Sequence, residues 1–485
     1  MTKSYLLLAL FSLLLCTACG SSSSGTIPGF IPKGNYSNAS LNGQFVYQIQ
    51  GFDFGVNPNG VAYREAGVLV ANGNGAITSV TDDFSEGGTV FSNVGTGVYS
   101  VNNDGTGTMS FTSAAGPITL GITLASASKV YLIEGDTTLS AGGLAEKQNP
   151  AAIAAVPNGT FVFREHDINA VQSVGSVGAF TMSGGVVSAG AEDVNRGGSL
   201  SSLTFTAGSF NAPDAATGRG TATLTDSSPA TSNFFYYIVD ANNIRFLSDT
   251  PAVTGLGQAE LQNGTPNLSG SYAFGSKGDT ANLGGVNTVG RFTASGGTIT
   301  AGARDSVQDG NSGNNISFTG TYTQPSSGRF LVTLTTAANN SLIIWMVSPS
   351  RGFFVVNDSS DVQEGTLDLQ QTATFSNSTM NGQFAFVMNG LDFSTGTTIT
   401  KDRVGTLQWD GSGKLILNEL TNANGSASGP IVLSGNYSVS ANGRAGGSIS
   451  SLSNNLVFYL VSGTDAYSIQ NDSQVEINGV IGKQQ

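Results

Sequence analysis

The chain has 485 residues, with 19 Lys and Arg against 32 Asp and Glu and a formal net charge of −13. The basic residues are spread thinly, whereas nucleic-acid binding requires a clustered positive surface, so the composition excludes a nucleic-acid partner. Charged residues make up only 11% of the chain, and its 66 glycines and 27 phenylalanines indicate strands joined by tight turns rather than disorder.

A targeting segment is predicted over residues 1–18. It contains an apolar run at residues 5–15, which is shorter than the ~20 residues that a membrane-spanning helix needs. The run ends in the letters LCTACG at residues 15–20. Two small residues before a cysteine resemble the lipobox of bacterial lipoproteins, although Cys16 stands where that family usually has Leu. The resemblance implies cleavage before Cys19, acylation of its thiol and attachment to a membrane through the acyl chains; an ordinary secretory signal cut at the same bond is the alternative.

Residues 19–40 are predicted to be the lipidated cysteine and a flexible tether. The tether is made mostly of Gly, Ser, Pro and Asn, which bury too little apolar surface to become ordered. Gly20 stands where the inner-membrane retention signal of lipoproteins would place Asp, so the resemblance implies an exported, outer-membrane location. Both cysteines of the chain lie within its first 20 residues, and the remainder is therefore predicted to fold without disulfides.

One segment recurs four times along the rest of the chain. It reads LNGQFVY, PNGTFVF, LSGSYAF and MNGQFAF, around Gly43, Gly159, Gly270 and Gly382. The intervals between these glycines are 116, 111 and 112 residues, which is far longer than the roughly 20–50 residues of a solenoid repeat. The sequence therefore predicts four tandem domains, at residues 41–149, 150–263, 264–372 and 373–485.

Each copy is predicted to be an all-β meander of seven or eight antiparallel strands. It opens with a strand whose apolar residues alternate, as at Phe45, Tyr47 and Ile49. Turns rich in Asn-Gly, Asp-Gly and Gly-Gly follow, and they connect successive hairpins. Eight strands in a domain of this length favour a small up-and-down barrel, because closure removes the free edges; a sandwich is the alternative.

An aspartate recurs at the end of the penultimate strand of every copy, at Asp136, Asp249, Asp358 and Asp472. One interpretation is a carboxylate at a barrel mouth that binds a ligand or a cation. The sequence favours a structural role, in which each carboxylate accepts hydrogen bonds from backbone N–H groups in the next turn. No second carboxylate accompanies it at a fixed spacing.

A second recurring set combines an aspartate with an arginine. The aspartate occurs in the first three copies and the arginine in the last three, at Asp83, Asp193 and Asp305 and at Arg219, Arg329 and Arg444. Only the two middle copies contain both residues, and a catalytic pair would leave the outer two copies inactive. The set is therefore interpreted as a structural salt bridge positioned by a turn, which would be worth about 0–1 kcal/mol if it is exposed.

The chain contains little that is typical of an active site or a metal centre. His166 is its only histidine, and the neighbouring Glu165 and Asp167 point to the opposite face of a strand. Zinc-ligand spacing, the Gly-x-Ser-x-Gly elbow and the EF-hand pattern are all absent from the sequence. Trp345 and Trp409 occupy different repeat positions and are predicted to be packing residues. We expect a protein that is not an enzyme and has no cofactor and no metal.

Two classes of function remain. One is a non-enzymatic envelope or surface lipoprotein that displays four β-domains for adhesion or for binding a protein or glycan partner. The other is a binding protein with a pocket for a small ligand or a glycan inside each barrel. The barrel interiors distinguish them, because a packed core indicates an interaction module, whereas a cavity of several hundred Å³ indicates a ligand.

Overall fold

The computed structural model describes residues 34–485 except for residues 58–59, 114–115, 170–171, 281–283, 336–340, 373, 395–397 and 450–454. The predicted signal peptide, Cys19 and most of the predicted tether lie outside the described residues, as does residue 373, where the fourth domain is predicted to begin. In the described part of the chain, no helix is long and apolar enough to cross a membrane.

The described residues form 32 strands in four groups of eight, together with two 3₁₀ turns at Asn38–Ser40 and Asn377–Thr379. Barrel 1 contains β1 Asn42–Asp53, β2 Val61–Asn72, β3 Ala76–Glu86, β4 Thr89–Val101, β5 Thr106–Ser113, β6 Gly116–Ser126, β7 Lys129–Glu134 and β8 Leu139–Lys147. Barrel 2 contains β9 Gly159–Asn169, β10 Ser173–Ser183, β11 Val186–Arg196, β12 Ser199–Phe210, β13 Arg219–Asp226, β14 Thr231–Asp240, β15 Asn243–Ser248 and β16 Val253–Leu261. Barrel 3 contains β17 Gly270–Thr280, β18 Gly285–Ser295, β19 Thr298–Gln308, β20 Asn311–Ser326, β21 Arg329–Thr335, β22 Ser341–Ser348, β23 Arg351–Asn357 and β24 Asp361–Leu369. Barrel 4 contains β25 Asn381–Asp392, β26 Ile399–Asp410, β27 Lys414–Ala423, β28 Ser426–Val439, β29 Arg444–Ile449, β30 Asn455–Leu460, β31 Asp465–Asp472 and β32 Val475–Lys483.

Each group closes into an antiparallel up-and-down barrel, so the predicted fold is confirmed and the sandwich alternative is wrong. Consecutive strands are neighbours in the sheet, and the first strand of each barrel also pairs with the last. In barrel 1, for example, Phe45 of β1 lies opposite Leu69 of β2 on one side and Lys147 of β8 on the other. This closure leaves no barrel with an unpaired edge strand.

The glycine of the recurring segment is required by the backbone. Gly43, Gly159, Gly270 and Gly382 have φ values of +117°, +129°, +127° and +114°. Side chains strain a backbone in this region, whereas glycine adopts it readily. The glycine therefore recurs in all four copies because the chain enters each barrel through the same conformation.

Each barrel interior is filled by its own apolar cluster. Alternate residues of the first strand point inward, such as Phe45 and Tyr47 in barrel 1, and both are fully buried. Barrels 2, 3 and 4 have corresponding clusters of buried aromatic and aliphatic side chains. In barrel 4, Trp409 packs edge-on against Tyr437 and Phe458, with ring centroids 4.6 and 5.1 Å apart. The inward faces thus form packed cores, and the outward faces decide what the barrels contact.

Candidate functional site: the barrel junctions and the axial cavity

The outward faces of the barrels meet in four apolar clusters. Each cluster draws buried residues from two barrels: Val46 and Tyr237 from barrels 1 and 2, Val162 and Val355 from barrels 2 and 3, Val289 and Tyr459 from barrels 3 and 4, and Tyr131 and Val387 from barrels 1 and 4. The last cluster joins barrel 4 back to barrel 1. The four barrels therefore form a closed ring with four junctions, and each junction is named below by its two barrels.

The glutamine that ends each repeat makes the same contact at every junction. Its side-chain amide donates to a backbone carbonyl of the next barrel, as in the 2.9 Å bond from Gln262 Nε2 to Met346 O at junction 2–3. The corresponding donors at junctions 1–2, 3–4 and 4–1 are Gln148, Gln370 and Gln484. Gln484 of barrel 4 therefore donates to a backbone carbonyl of barrel 1, just as each earlier glutamine donates to a carbonyl of the next barrel. In this contact junction 4–1 is equivalent to the other three junctions.

The recurring aspartates and arginines pair across junctions rather than within a copy. Their closest atoms are 2.6 Å apart in Asp83–Arg219, Asp193–Arg329 and Asp305–Arg444. The aspartate side chains are at most 1% exposed, so the predicted salt bridges are present, but they are buried contacts and the magnitude of an exposed pair does not apply to them. The pairing between consecutive copies explains the pattern in the sequence, because the first copy needs no arginine and the last needs no aspartate.

An aromatic side chain of the next barrel also donates to each of these carboxylates. Trp345 Nε1 lies 2.8 Å from Asp193 Oδ2, and the hydroxyls of Tyr237 and Tyr459 bond to Asp83 and Asp305. Burial raises the pKa of both tyrosines, and the adjacent carboxylate raises it further, so the phenols remain protonated donors. Each carboxylate is therefore satisfied by charged and neutral donors in a nearly dry contact.

Junction 4–1 replaces the ion pair with apolar contact. Leu420 takes the position of the aspartates and is half-buried in the apolar cluster of this junction. Thr106 takes the position of the arginines, since it lies opposite Thr123 as Arg219 lies opposite Tyr237. Three of the four junctions therefore contain a buried Asp–Arg ion pair, and junction 4–1 does not.

Two of the four strand-end aspartates accept hydrogen bonds from backbone N–H groups; the donor to Asp358 lies in the next turn, whereas the donor to Asp472 lies at the start of β30. Asp358 Oδ1 accepts from the backbone N–H and the hydroxyl of Ser360, at 2.8 and 2.7 Å. Asp472 Oδ1 accepts from the backbone N–H of Asn455 at 3.0 Å. Both interactions hold a barrel end locally.

The other two aspartates differ. Asp136 lies beside Glu134, and burial raises its pKa. Burial also raises the pKa of Asp249, whose carboxylate accepts no hydrogen bond within the part of the chain that the structure describes. The structure therefore places one such aspartate at the end of each barrel and does not bring the four together into one site.

Two adjoining cavities lie where the four barrels meet. The larger, here called the axial cavity, has a volume of about 210 Å³, and the smaller has about 100 Å³. One repeat position, seven residues after the opening glycine, lines both cavities from every barrel, at Gln50, His166, Lys277 and Asn389. Because each barrel contributes the same position, the cavities lie on the pseudo-fourfold axis of the ring.

Charged residues of barrels 2 and 3 dominate the wall of the axial cavity. Arg164 forms an ion pair with Glu364, and His166 Nε2 lies 3.3 Å from Asp279 Oδ2. Burial lowers the pKa of Lys277 to about 8. The sequence singles out His166 only beside its chain neighbours, and it predicts none of the other wall residues. The signal that identifies them is the shared position in the four copies.

His166 does not converge with Glu165 and Asp167. These two carboxyl groups follow Phe161 and Phe163 on the inward face of β9, whereas His166 lies on the outward face. Within the described ranges, no group of three or more His, Cys, Asp or Glu side chains could hold a metal ion.

The fold and the junctions define a class of protein, namely four fused eight-stranded barrels in a single ring.

No family model matches the chain, and no curated protein matches it. Solved structures similar to parts of it include three transferrin-binding protein B structures. Intact Ap-TbpB, with N and C lobes, is 9% identical over 74% of this chain and 83% of that chain, with a TM-score of 0.18. A variant from Haemophilus parasuis Hp5 is 10% identical over 74% and 84%, with a TM-score of 0.19. Isotype 1 from serogroup B Neisseria meningitidis is 8% identical over 73% and 84%, with a TM-score of 0.19. Scores this low carry no argument about function.

Proposed function

We propose that the chain is a non-enzymatic lipoprotein of the cell envelope, anchored through Cys19, whose four barrels act as one rigid module for binding a protein or glycan partner. The observation that supports this function is the combination of packed barrel interiors with a closed ring of junctions. In the part of the chain that the structure describes, inward side chains pack the interior of each barrel, whereas the alternative function would need a pocket there.

The ring also determines which surface is available to a partner. The first and last strands of each barrel face the axis, so the strands on the opposite side of each barrel, β4, β12, β20 and β28, face outward. These strands are the most exposed of their barrels, and β4 carries Val94 and Val98 at 74% and 62% exposure. Contiguous exposed apolar surface marks binding sites, and this pair is the place on β4 where we look for a partner.

The anchoring part of the proposal is tested with a labelled fatty acid. The wild-type protein is expected to incorporate the label and to stay with the membrane fraction in high salt, whereas Cys19→Ser is expected to lose both properties. Incorporation of label by the Cys19→Ser variant, or none by the wild type, would contradict the lipid anchor.

The binding part is tested with a photo-crosslinking amino acid placed at single positions in cells that make the protein. A crosslinker at Val94 on β4 is expected to give a discrete adduct. A crosslinker at Val56, which is 64% exposed but lies in the turn after β1, provides the matched control. Absence of any adduct from all four outward strands would refute the interaction function.

A further inference from the structure

The axial cavity differs in charge from the rest of the molecule. The chain has a net charge of −13, yet the lining of the axial cavity contains two cations, Arg164 and Lys277, and one carboxylate, Glu364. Glu364 is already ion-paired with Arg164, and nearby cations hold the pKa of Glu364 low despite its burial. The lining of the axial cavity therefore carries a net positive charge, whereas the smaller adjoining cavity, which His166 and Lys277 also line, adds the carboxyl groups of Asp279, Asp402 and Glu476 and the guanidinium of Arg64.

Several nitrogen atoms in this wall have no hydrogen-bond partner among the residues that the structure describes. His166 is only 7% exposed, and its Nδ1 has no hydrogen-bond partner. Nε of Arg164 is buried without a partner as well. Lys277 Nζ donates no hydrogen bond to any residue that the structure describes. Since buried polar groups are nearly always satisfied by protein, water or a ligand, the unused N–H donors of Lys277 and Arg164 indicate an occupant rich in acceptors.

The size of the cavity limits what that occupant can be. Its volume of about 210 Å³ is below the ~300–1,000 Å³ of pockets for drug-sized ligands and corresponds to roughly seven waters at about 30 Å³ each. Amide side chains of barrels 1 and 4, Gln50 and Asn389, complete the wall. The cavity therefore suits a small polar molecule that contacts all four barrels.

We propose that the axial cavity binds a small oxyanion, either a phosphate or a small carboxylate. Lys277 and Arg164 supply positive charge and N–H donors, and the His166 ring lies beside them in the wall. Charge-assisted bonds of this type are about twice as strong as neutral ones. Because barrels 2 and 3 supply these groups and barrels 1 and 4 close the wall, the site exists only in the closed ring. This site is independent of envelope attachment and of the outward strands.

The ionisation of Lys277 agrees with this role. Burial lowers its pKa to about 8, so the ammonium is still mostly charged at pH 7. A bound anion would offset the desolvation that lowers this pKa.

The single histidine provides a direct test. In the full chain labelled with ¹⁵N, the imidazole signals belong to His166 alone. Inorganic phosphate and malonate are titrated separately at pH 7 and constant ionic strength, with sodium chloride as the reference salt. A saturable shift of the imidazole signals with phosphate or malonate, and none with chloride, is expected. The anion that saturates identifies the kind of oxyanion that the cavity accepts.

Two lysine variants with the same charge change separate the site from general electrostatics. Lys277→Gln is expected to weaken the apparent affinity at least tenfold. Lys414→Gln is expected to titrate like the wild type, because Lys414 is exposed and bonds to Asn436 at 2.7 Å, away from the cavity. Absence of a saturable shift with both anions, or an unchanged titration in Lys277→Gln, would overturn the proposal. A circular dichroism spectrum of each variant confirms that its barrels remain folded.

Discussion

Removal of the Asp193 carboxylate should destabilise junction 2–3, and the contacts of that carboxylate give the size of the expected loss of stability. Asp193 accepts from Arg329 Nε at 2.7 Å and Nη2 at 2.6 Å, and from Trp345 Nε1 at 2.8 Å. Its side chain is 1% exposed and that of Arg329 is 17% exposed. Asp193→Ala leaves the indole N–H without its acceptor and removes both carboxylate bonds of the guanidinium, which keeps the 3.2 Å bond from Nη2 to Ser202 Oγ. Since breaking a mostly buried pair from one side costs about 3–5 kcal/mol, we expect a loss of that size.

The double variant Asp193→Leu/Arg329→Thr imitates junction 4–1, where Leu420 and Thr106 stand at these positions. Apolar replacement of both partners of a buried pair is often nearly neutral. The remaining cost should then come from the unsatisfied indole of Trp345, about 1–3 kcal/mol. The double variant is therefore expected to be more stable than Asp193→Ala.

Tryptophan fluorescence during urea unfolding measures these differences. The chain has two tryptophans, so a Trp409→Phe background leaves Trp345, at the junction itself, as the only reporter. All variants are compared in that background. A loss below about 1 kcal/mol in Asp193→Ala, or a double variant less stable than the single one, would refute the inference that this buried pair holds the junction.

Three further predictions concern the rest of the ring. Gln484→Ala should destabilise barrel 1 by about 1–3 kcal/mol, because it leaves buried carbonyls unsatisfied; amide hydrogen exchange in barrel 1 measures this, and unchanged protection would contradict the equivalence of junction 4–1. Burial raises the pKa of Glu476 to about 8 in the folded chain. The unfolded chain has the lower, ordinary pKa of a glutamate, so between these two pKa values the folded chain holds a proton on Glu476 that the unfolded chain has released. Stability should accordingly fall as the pH rises from about 4.5 to 8, and Glu476→Gln should raise the melting temperature relative to the wild type more at pH 8 than at pH 5. Asp358→Ala should lower the melting temperature, because it removes the acceptor for the backbone N–H and the hydroxyl of Ser360. Asp249→Asn should leave the melting temperature unchanged or raise it slightly, since burial disfavours the charged form of Asp249; calorimetry distinguishes the two, and equal losses would contradict the difference.

The fold was predictable because its determinants are local. Alternation at Phe45 and Tyr47 identifies the inward face of a strand, and glycine-rich turns identify the hairpins that produce a meander. Alternation cannot show what the outward face contacts. Val46 and Gln48 could equally face solvent, but the structure places them against barrel 2, where Gln48 Nε2 donates to Phe246 O at 3.0 Å.

The junction contacts leave a signal in the sequence, but the signal lies between consecutive copies and not within any one copy. The arginine absent from the first copy and the aspartate absent from the last are the pattern expected when partners belong to consecutive repeats. The axial cavity had a weaker signal, because Gln50, His166, Lys277 and Asn389 share a position but not a chemical type. These four side chains come together only because of the rotation of each barrel relative to the next. The sequence of a single strand does not specify that rotation.

The closed ring fixes the number of barrels. Every junction joins the face of one barrel to a different face of the next, and such a head-to-tail contact either continues indefinitely or returns to its start. Here it returns after four copies, when Gln484 reaches Leu124 at 2.7 Å. A solenoid gains or loses repeats without changing its remaining interfaces, but a chain of three or five of these barrels would leave two junction faces unpaired. Duplication or deletion of one copy is therefore a change of architecture in this protein, and selection on copy number should act through the apolar area that an open ring exposes.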